Sequence, residues 1–225
     1  MTDILRTLAP RVKGFLEEEE GMRLYEEARK AGRDHPCLEI GGYCGKSTLY
    51  LGLGCRETGG TLYSVDHHRG SEEQQPGQEY FDSELLDPES GMVDTFRLFR
   101  KTLAEAGLED TVVPIVTRSE IAARSWAIPL GLVFIDGGHT FEAAYTDYVC
   151  WSPHLVPGGA LLIHDIFPDP ALGGQAPYAV YLLALRSGLF EEVAMIKTLA
   201  VLRKVRCGGL PQALLARMKK VDLPL

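Results

Sequence analysis

The stretch CLEIGGYCGKST, residues 37–48, decides the fold. Its first four residues form a short apolar run that predicts a buried strand, and the glycines at 41, 42 and 45 predict a turn. The residues that follow, 47–53, predict a helix. A glycine turn between a buried strand and a helix lets a ligand approach the backbone closely, and the helix N-terminus favours an anionic group there.

Strand and helix patterns alternate along the rest of the chain. Helical patterns at 93–106 and 141–151 separate short apolar runs that end in polar or glycine-rich residues. These runs are 61–65, 112–116, 132–135 and 160–163. Strands alternating with helices predict a parallel sheet that is covered on both faces. Two more runs, 190–196 and 199–202, lie close enough together for a terminal hairpin.

The N-terminal residues, 1–35, predict a helical segment in front of the first strand. Apolar residues recur there at helical spacing, and Pro36 ends the pattern. The acidic run 17–20 within this segment is interpreted as a solvated helix face. We expect the segment and the sheet to form one domain over residues 1–225, because this length is enough for one sizeable core and short for two.

Charge and cysteine content narrow the function classes. The 225 residues carry a formal net charge of −8, which disfavours a nucleic-acid substrate. The five cysteines are odd in number and form no CxxC pair, so we expect neither a disulfide framework nor a structural zinc site. The N-terminal sequence lacks a signal-peptide pattern, and no apolar run approaches the roughly 20 residues of a membrane span. We therefore expect a cytoplasmic protein without a membrane partner.

The segment 67–91 interrupts the alternation. It is polar and punctuated by glycine and proline, and residues 67–94 contain eight acids and one base. A loop of this length in a compact domain is often the cover of an active site. We consider it a candidate lid inserted in the domain, with a disordered surface insertion as the alternative.

The glycine turn has three interpretations. A phosphate-binding loop of the form GxxxxGK[ST] would need glycine where Ile40 stands, and the dinucleotide fingerprint GxGxxG does not match the spacing of residues 41–45. The third is a nucleoside ligand without a pyrophosphate. Asp66 supports it, because a carboxylate at the end of the second strand can accept hydrogen bonds from ribose hydroxyls. The alternative role for Asp66 is a helix cap or a turn.

Four motifs together carry a family resemblance. They are EIGxxxGKST at residues 39–48, YSVD ending at Asp66, LVFIDGGHTFE around Asp136 and His139, and LVPGGALLIHD ending at His164 and Asp165. This series resembles class I S-adenosylmethionine-dependent methyltransferases, and most closely the small-molecule O-methyltransferase branch with an Ile-Asp-Gly-x-His motif. The resemblance covers residues 37–203.

The resemblance implies both a fold and a cofactor site. It implies a Rossmann-like sheet of seven strands, mostly parallel with an antiparallel last strand, and helices on both faces. The turn from Gly41 to Gly45 would hold the methionine part of S-adenosylmethionine. The ribose would bind Asp66, and the adenine would lie near Ser119. The full expected set of cofactor-binding residues is Glu39, Gly41, Gly45, Ser47, Asp66, His67, Ser119 and Asp136.

A second group of polar residues ends two neighbouring strands. Asp136 follows one strand and the pair His164 and Asp165 follows the next, so their side chains can converge at one sheet edge. By resemblance to the branch, Asp136, His164 and Asp165 are a candidate site for Mg²⁺ or another divalent metal. The alternative is that the two aspartates contact only cofactor and substrate. His139 is the candidate catalytic base, with Asp136 as its helper.

We thus expect methyl transfer to a hydroxyl of a small molecule of sugar, polyketide or phenol type. The alternatives are a metal-independent N- or C-methyltransferase and a non-catalytic protein that binds the cofactor. The basic stretch 203–220 contains six positive residues and no acid. It is interpreted either as a solvated helix or as an assembly surface of a homo-oligomer.

Overall fold

A seven-stranded sheet forms the centre of the computed structural model, which describes residues 2–206. The strand order is β3-β2-β1-β4-β5-β7-β6. The strands are β1 (Cys37–Ile40), β2 (Leu62–Asp66), β3 (Val112–Val116), β4 (Leu130–Ile135), β5 (Leu155–Ile163), β6 (Phe190–Ile196) and β7 (Leu199–Lys204).

The strand β1 lies in the middle of the sheet and pairs in parallel with both β2 and β4. The strand order reverses at β1, which leaves a crevice beyond the carboxyl ends of the strands. The strand β7 runs antiparallel between β5 and β6. The expected mostly parallel sheet of seven strands with an antiparallel last strand is therefore confirmed.

Helices cover both faces of the sheet, as expected. They are α1 (Thr2–Leu8), α2 (Glu18–Ala31), α3 (Lys46–Thr58), α4 (Phe96–Ala106), α5 (Ser119–Ala123), α6 (Phe141–Trp151) and α7 (Ala176–Arg186). The helices α1–α4 pack on one face and α5–α7 on the other. Successive strand residues contribute to opposite cores, so Leu162 packs with the first group and Ile163 with the second.

Two sequence predictions differ from the structure near the N-terminus. The helical segment is divided, because α1 continues into a short 3-10 helix at Ala9–Arg11 and a non-helical stretch with bends precedes α2. The acidic run is not wholly solvated: Glu17 caps α2 and remains exposed, whereas Glu20 is buried. A buried carboxylate requires partners, and those of Glu20 lie at the end of β5 and in the turn between β6 and β7.

The segment 67–91 contains ordered turns. Two 3-10 helices occur in it, at Glu72–Gln74 and Ser83–Leu85, and Leu86 forms an isolated bridge with Val93. Within residues 2–206, no helix has the length and apolar character needed to cross a membrane. Most of the basic stretch, residues 207–220, lies outside the described part of the chain.

Candidate functional site

An open cleft of about 1270 Å³ lies at the carboxyl edge of the sheet. The turns after β1, β2, β3 and β4 form its floor, and the acidic segment forms one side. The N-terminal stretch before α2 meets this segment across the cleft, where the rings of Phe15 and Tyr80 lie 5.4 Å apart. Lys13 forms ion pairs there with Asp82 and with Glu84, the latter at 2.7 Å.

The turn after β1 requires glycine for two reasons. Gly41 has a φ of +92°, and an added Cβ would lie 2.0 Å from the backbone oxygen of Asp136. Gly45 also has a φ of +92° and precedes the first turn of α3. A residue with a side chain would be strained at either position because of the positive φ, and at Gly41 it would also collide with the backbone of Asp136. Gly41 and Ser47 line the cleft, and Gly45 supports the turn from behind.

Glu39 lies beneath this turn and is fully buried. Its carboxylate accepts hydrogen bonds from the hydroxyls of Ser47, at 3.0 Å, and Thr48. Burial raises the pKa of Glu39 to about 7, although these hydroxyl bonds act in the opposite direction. Glu39 therefore ties β1 to the start of α3 and does not line the cleft.

Asp66, at the end of β2, lines the cleft and holds two loops together. Its carboxylate accepts hydrogen bonds from the backbone N–H of Tyr43, at 2.8 Å, and of His68, at 2.7 Å. A carboxylate has about four acceptor positions, so further positions remain for hydroxyl donors. His67 is exposed at the rim, whereas His68 is 2% exposed and packs against Phe96 and Phe99.

Ser119 begins α5 at another wall of the cleft. Its hydroxyl accepts a hydrogen bond of 2.7 Å from the indole nitrogen of Trp151, which is fully buried in the core. Asp147 of α6 also lines the cleft, and burial raises its pKa to about 7, against the effect of the Ser119 hydroxyl nearby. This wall is therefore fixed by contacts between α5 and α6.

Asp136, His139 and Asp165 converge at the centre of the cleft edge. Each offers one ligand atom, and these atoms lie within 4.8 Å of one another. His139 donates from Nε2 towards Asp165 and from Nδ1 towards Glu73, each at 3.0 Å. The hydrogen bond with Asp165 and that with Glu73 raise the pKa of His139 to about 9, against the effect of burial. Burial also opposes the ionisation of Asp165, but the bonds from His139 and His164 lower its pKa.

His164 occupies a different position from the one expected of a metal ligand. It is 3% exposed and lies between Asp136, 3.2 Å from Nδ1, and Glu20, 3.1 Å from Nε2. Burial disfavours its charged form, but the charge of Asp136 and the hydrogen bonds to the surrounding carboxylates raise its pKa far above the usual value. Both nitrogens of His164 are thus taken up by carboxylates, and His164 lies outside the group of ligand atoms that could surround a metal.

The group of residues that could hold a metal therefore contains His139 in place of His164. Two carboxylates and an imidazole with an open side fit a divalent cation such as Mn²⁺ or Fe²⁺, and the carboxylates also suit Mg²⁺. Among the expected site residues, Glu39, Gly45 and His164 do not line the cleft, and the others do.

Three site residues were not predicted from the sequence. Glu73 lies in the acidic segment, where nothing distinguishes it from its neighbours, and it reaches His139 only because the segment folds over the cleft. Glu20 sits in an acidic run that is typical of solvent-exposed helices. Asp147 lies in a helix that the sequence predicts, and helical spacing places it on the face that packs inward. That position was the signal from which its burial could have been predicted.

The chain belongs to a family of methyltransferase domains: the family model described as "Methyltransferase domain" matches residues 38–166, more than half of the chain. Solved structures share the fold at low identity. The cofactor-bound protein Rv0187 from MTB is 18% identical with a TM-score of 0.62, and the match covers 89% of this chain and 86% of that one.

Two O-methyltransferases give similar values. One, from Bacillus cereus in complex with SAH, is 16% identical with a TM-score of 0.60, and the match covers 91% of this chain and 90% of the other. TomG from Streptomyces achromogenes, in complex with SAM, is 14% identical with a TM-score of 0.59, with coverage of 91% and 95%. At this identity the likeness establishes a common fold.

Proposed function

We propose that the protein transfers a methyl group from S-adenosylmethionine to a hydroxyl of a small molecule of sugar, polyketide or phenol type. The observation that carries the proposal is one cleft that combines the glycine turn and Asp66 with the group Asp136, His139 and Asp165. The family and the cofactors named for the similar structures, SAM and SAH, support this choice of methyl donor.

The cofactor is proposed to lie along the turns after β1, β2 and β3. Gly41 and Ser47 would hold the methionine part, with Glu39 and Gly45 supporting the turn from outside the cleft. Asp66 would accept hydrogen bonds from the ribose hydroxyls, and His67 would lie beside them at the rim. Ser119 would lie near the adenine. Asp136 would be close to the point where the methyl group meets the acceptor.

Methyl transfer requires an aligned acceptor that loses its proton. The acceptor oxygen forms a bond to the methyl carbon while the carbon–sulfur bond breaks and its electron pair remains on sulfur. We assign the role of base to His139. Its pKa of about 9 keeps most of the imidazole protonated at neutral pH, so the proposal requires activity to rise as pH increases towards that value.

A divalent metal is a further part of the proposal. Asp136 and Asp165 would hold it, which leaves His139 to accept the proton, and a bound metal would supply charge that lowers the pKa of the acceptor hydroxyl. His164 would then keep the two aspartates in place from behind, through contacts of 3.2 and 3.4 Å.

The segment 67–91 is proposed to act as the lid over the acceptor. Its acidic residues disfavour an anionic acceptor, and Phe15 and Tyr80 offer apolar surface at the entrance.

We further propose that residues 1–225 form one domain and that the protein is cytoplasmic. Four free cysteines in residues 2–206, three of them buried, agree with a reducing compartment.

Calorimetric titration with S-adenosylhomocysteine tests the cofactor assignment, and absence of binding would refute it.

Methyl transfer is then measured with labelled S-adenosylmethionine and a panel of phenols, polyketides and sugars. His139→Ala should retain the affinity for S-adenosylhomocysteine and lose roughly 10²- to 10⁴-fold in turnover. The control is Glu142→Gln, an exposed residue of the same cleft. Unchanged turnover after chelation would remove the metal from the proposal.

A further inference from the structure

One buried carboxylate behind the cleft is not used by the proposed chemistry. Glu20 of α2 is 1% exposed and does not line the cleft. Its Oε2 lies 3.1 Å from Nε2 of His164, and its Oε1 accepts hydrogen bonds from the backbone N–H of Thr198, at 3.0 Å, and from the Thr198 hydroxyl, at 2.8 Å. Burial opposes the ionisation of Glu20, but the bonds from His164 and Thr198 lower its pKa to about 2. Glu20 is therefore a buried negative charge whose partners belong to the framework behind the cleft.

His164 connects this carboxylate to the cleft. Its ring is 3% exposed, with Nε2 facing Glu20 and Nδ1 facing Asp136, at 3.2 Å, and Asp165, at 3.4 Å. An ionised carboxylate accepts hydrogen bonds and does not donate them, so each ring nitrogen is the donor to the carboxylates that it faces. Because the imidazole is a rigid ring, a rotation that takes Nε2 away from Glu20 also moves Nδ1 away from the aspartates. The contact with Glu20 therefore determines where the other side of the ring points.

The two aspartates depend on contacts made behind the cleft. The side chains of Asp136 and Asp165 are 23% and 24% exposed, so most of their surface is held by the protein. Asp165 has a φ of 58°, a conformation that costs energy for a residue with a side chain and persists where the surroundings enforce it. The backbone N–H of Ile166 donates to the carbonyl oxygen of Thr198 at 2.9 Å. The turn between β6 and β7 thus supports the residue that follows Asp165.

We propose that Glu20 is a positioning residue for methyl transfer, and that it fixes the two aspartates of the cleft through His164. This inference rests on the proposed function, because that reaction is what uses the aspartates. A displacement of about 1 Å at a reacting group can cost about 10²-fold in rate, and loss of a partner behind a metal-holding carboxylate typically costs about 10- to 100-fold. Glutamine has the size of Glu20, but its amide nitrogen donates where a carboxylate oxygen accepts. Glu20→Gln therefore cannot accept from both His164 and Thr198.

The test compares two buried glutamates of the same helix. Glu20→Gln should lower kcat for methyl transfer roughly 10- to 100-fold and leave the calorimetric affinity for S-adenosylhomocysteine little changed. Glu27→Gln is the matched control. Glu27 is also 1% exposed, but its ion pairs are with Arg23, Lys30 and Arg203, which do not line the cleft. Both variants lose a buried carboxylate and should be less stable in denaturant unfolding, whereas only Glu20→Gln should lose turnover.

Two further variants test the connection through the ring. His164→Ala removes the side chain through which Glu20 acts, so adding Glu20→Gln to it should lower kcat no further. Thr198→Val removes one of the hydrogen bonds to Glu20 and should lower kcat roughly fivefold.

Each other outcome counts against the inference. Wild-type turnover in Glu20→Gln would overturn it, and so would an equal loss in Glu27→Gln, because the effect would then follow from stability alone. Additive losses in the double variant would show that Glu20 does not act through His164. If the wild type itself binds no S-adenosylhomocysteine or methylates no acceptor, the proposed function fails and this inference fails with it. Thermal unfolding is recorded first, and if Glu20→Gln or His164→Ala does not fold, the turnover of Thr198→Val against Glu27→Gln decides.

Discussion

Replacing Gly41 by alanine should separate β1 from the end of β4. The new Cβ would lie 2.0 Å from the backbone oxygen of Asp136, and the φ of +92° is unfavourable for alanine. The left-handed conformation costs about 1–2 kcal/mol, and displacing packed neighbours costs about 1–3 kcal/mol more. At about 2–4 °C per kcal/mol for a protein of this size, the total of about 2–5 kcal/mol lowers the melting temperature by about 4–20 °C.

Gly59 provides the matched control for this prediction. It has a φ of +70° and no atom within 4 Å of an added Cβ, so Gly59→Ala incurs the conformational cost without the clash. The melting temperature of the Gly59→Ala variant should be about 2–8 °C below that of the wild type. Both variants are compared by calorimetric unfolding, with and without S-adenosylhomocysteine. The reasoning is refuted if the two variants lose the same stability, because the close approach to Asp136 would then have no energetic effect.

Three further predictions concern single side chains. Asp66→Ala should weaken S-adenosylhomocysteine binding roughly 10- to 100-fold, because charged hydrogen bonds are lost, and unchanged calorimetric affinity would contradict the ribose role. Glu20→Gln should destabilise the protein by about 1–3 kcal/mol in denaturant unfolding, because it removes one of the three carboxylates that surround the buried His164 charge. The side chain of Glu19 is 71% exposed, so Glu19→Gln should have little effect. The pKa of His139 is raised to about 9 in the folded state, so the stability it contributes is fully present below pH 6.5 and is lost as pH rises through about 9. The difference in melting temperature between wild type and His139→Asn should therefore shrink between pH 6.5 and 9, and a constant difference would disprove the pairing.

The positions of the strand ends could be predicted from the sequence. Each parallel strand is a short apolar run that stops at a polar or glycine-rich motif, so Asp66, Asp136 and Asp165 were expected at one edge. The family resemblance added the number of strands and the antiparallel last strand. The predicted starts of two strands were too late: β4 begins at Leu130 and not at 132, and β5 begins at Leu155 and not at 160. The polarity of these first residues does not distinguish them from the preceding loops.

The orientation of His164 could have been deduced from the pleat of the sheet. Leu162 faces the core of α1–α4 and Ile163 faces the opposite core, so the next residue returns to the first side, where α2 supplies Glu20. The identity of that partner could not be predicted, since it is 144 residues away in the chain. Likewise, the contact between Glu73 and His139 depends on the path of the acidic segment, which carries no periodic pattern.

The place of β7 in the sheet has a consequence for synthesis of the chain. This strand fills the gap between β5 and β6, although both are translated before it. Until residue 204 has left the ribosome, the side of β5 exposes unpaired backbone groups and invites association with other nascent chains. The turn that leads into β7 also brings Thr198 to Glu20, so the back wall of the cleft is completed only near the end of translation.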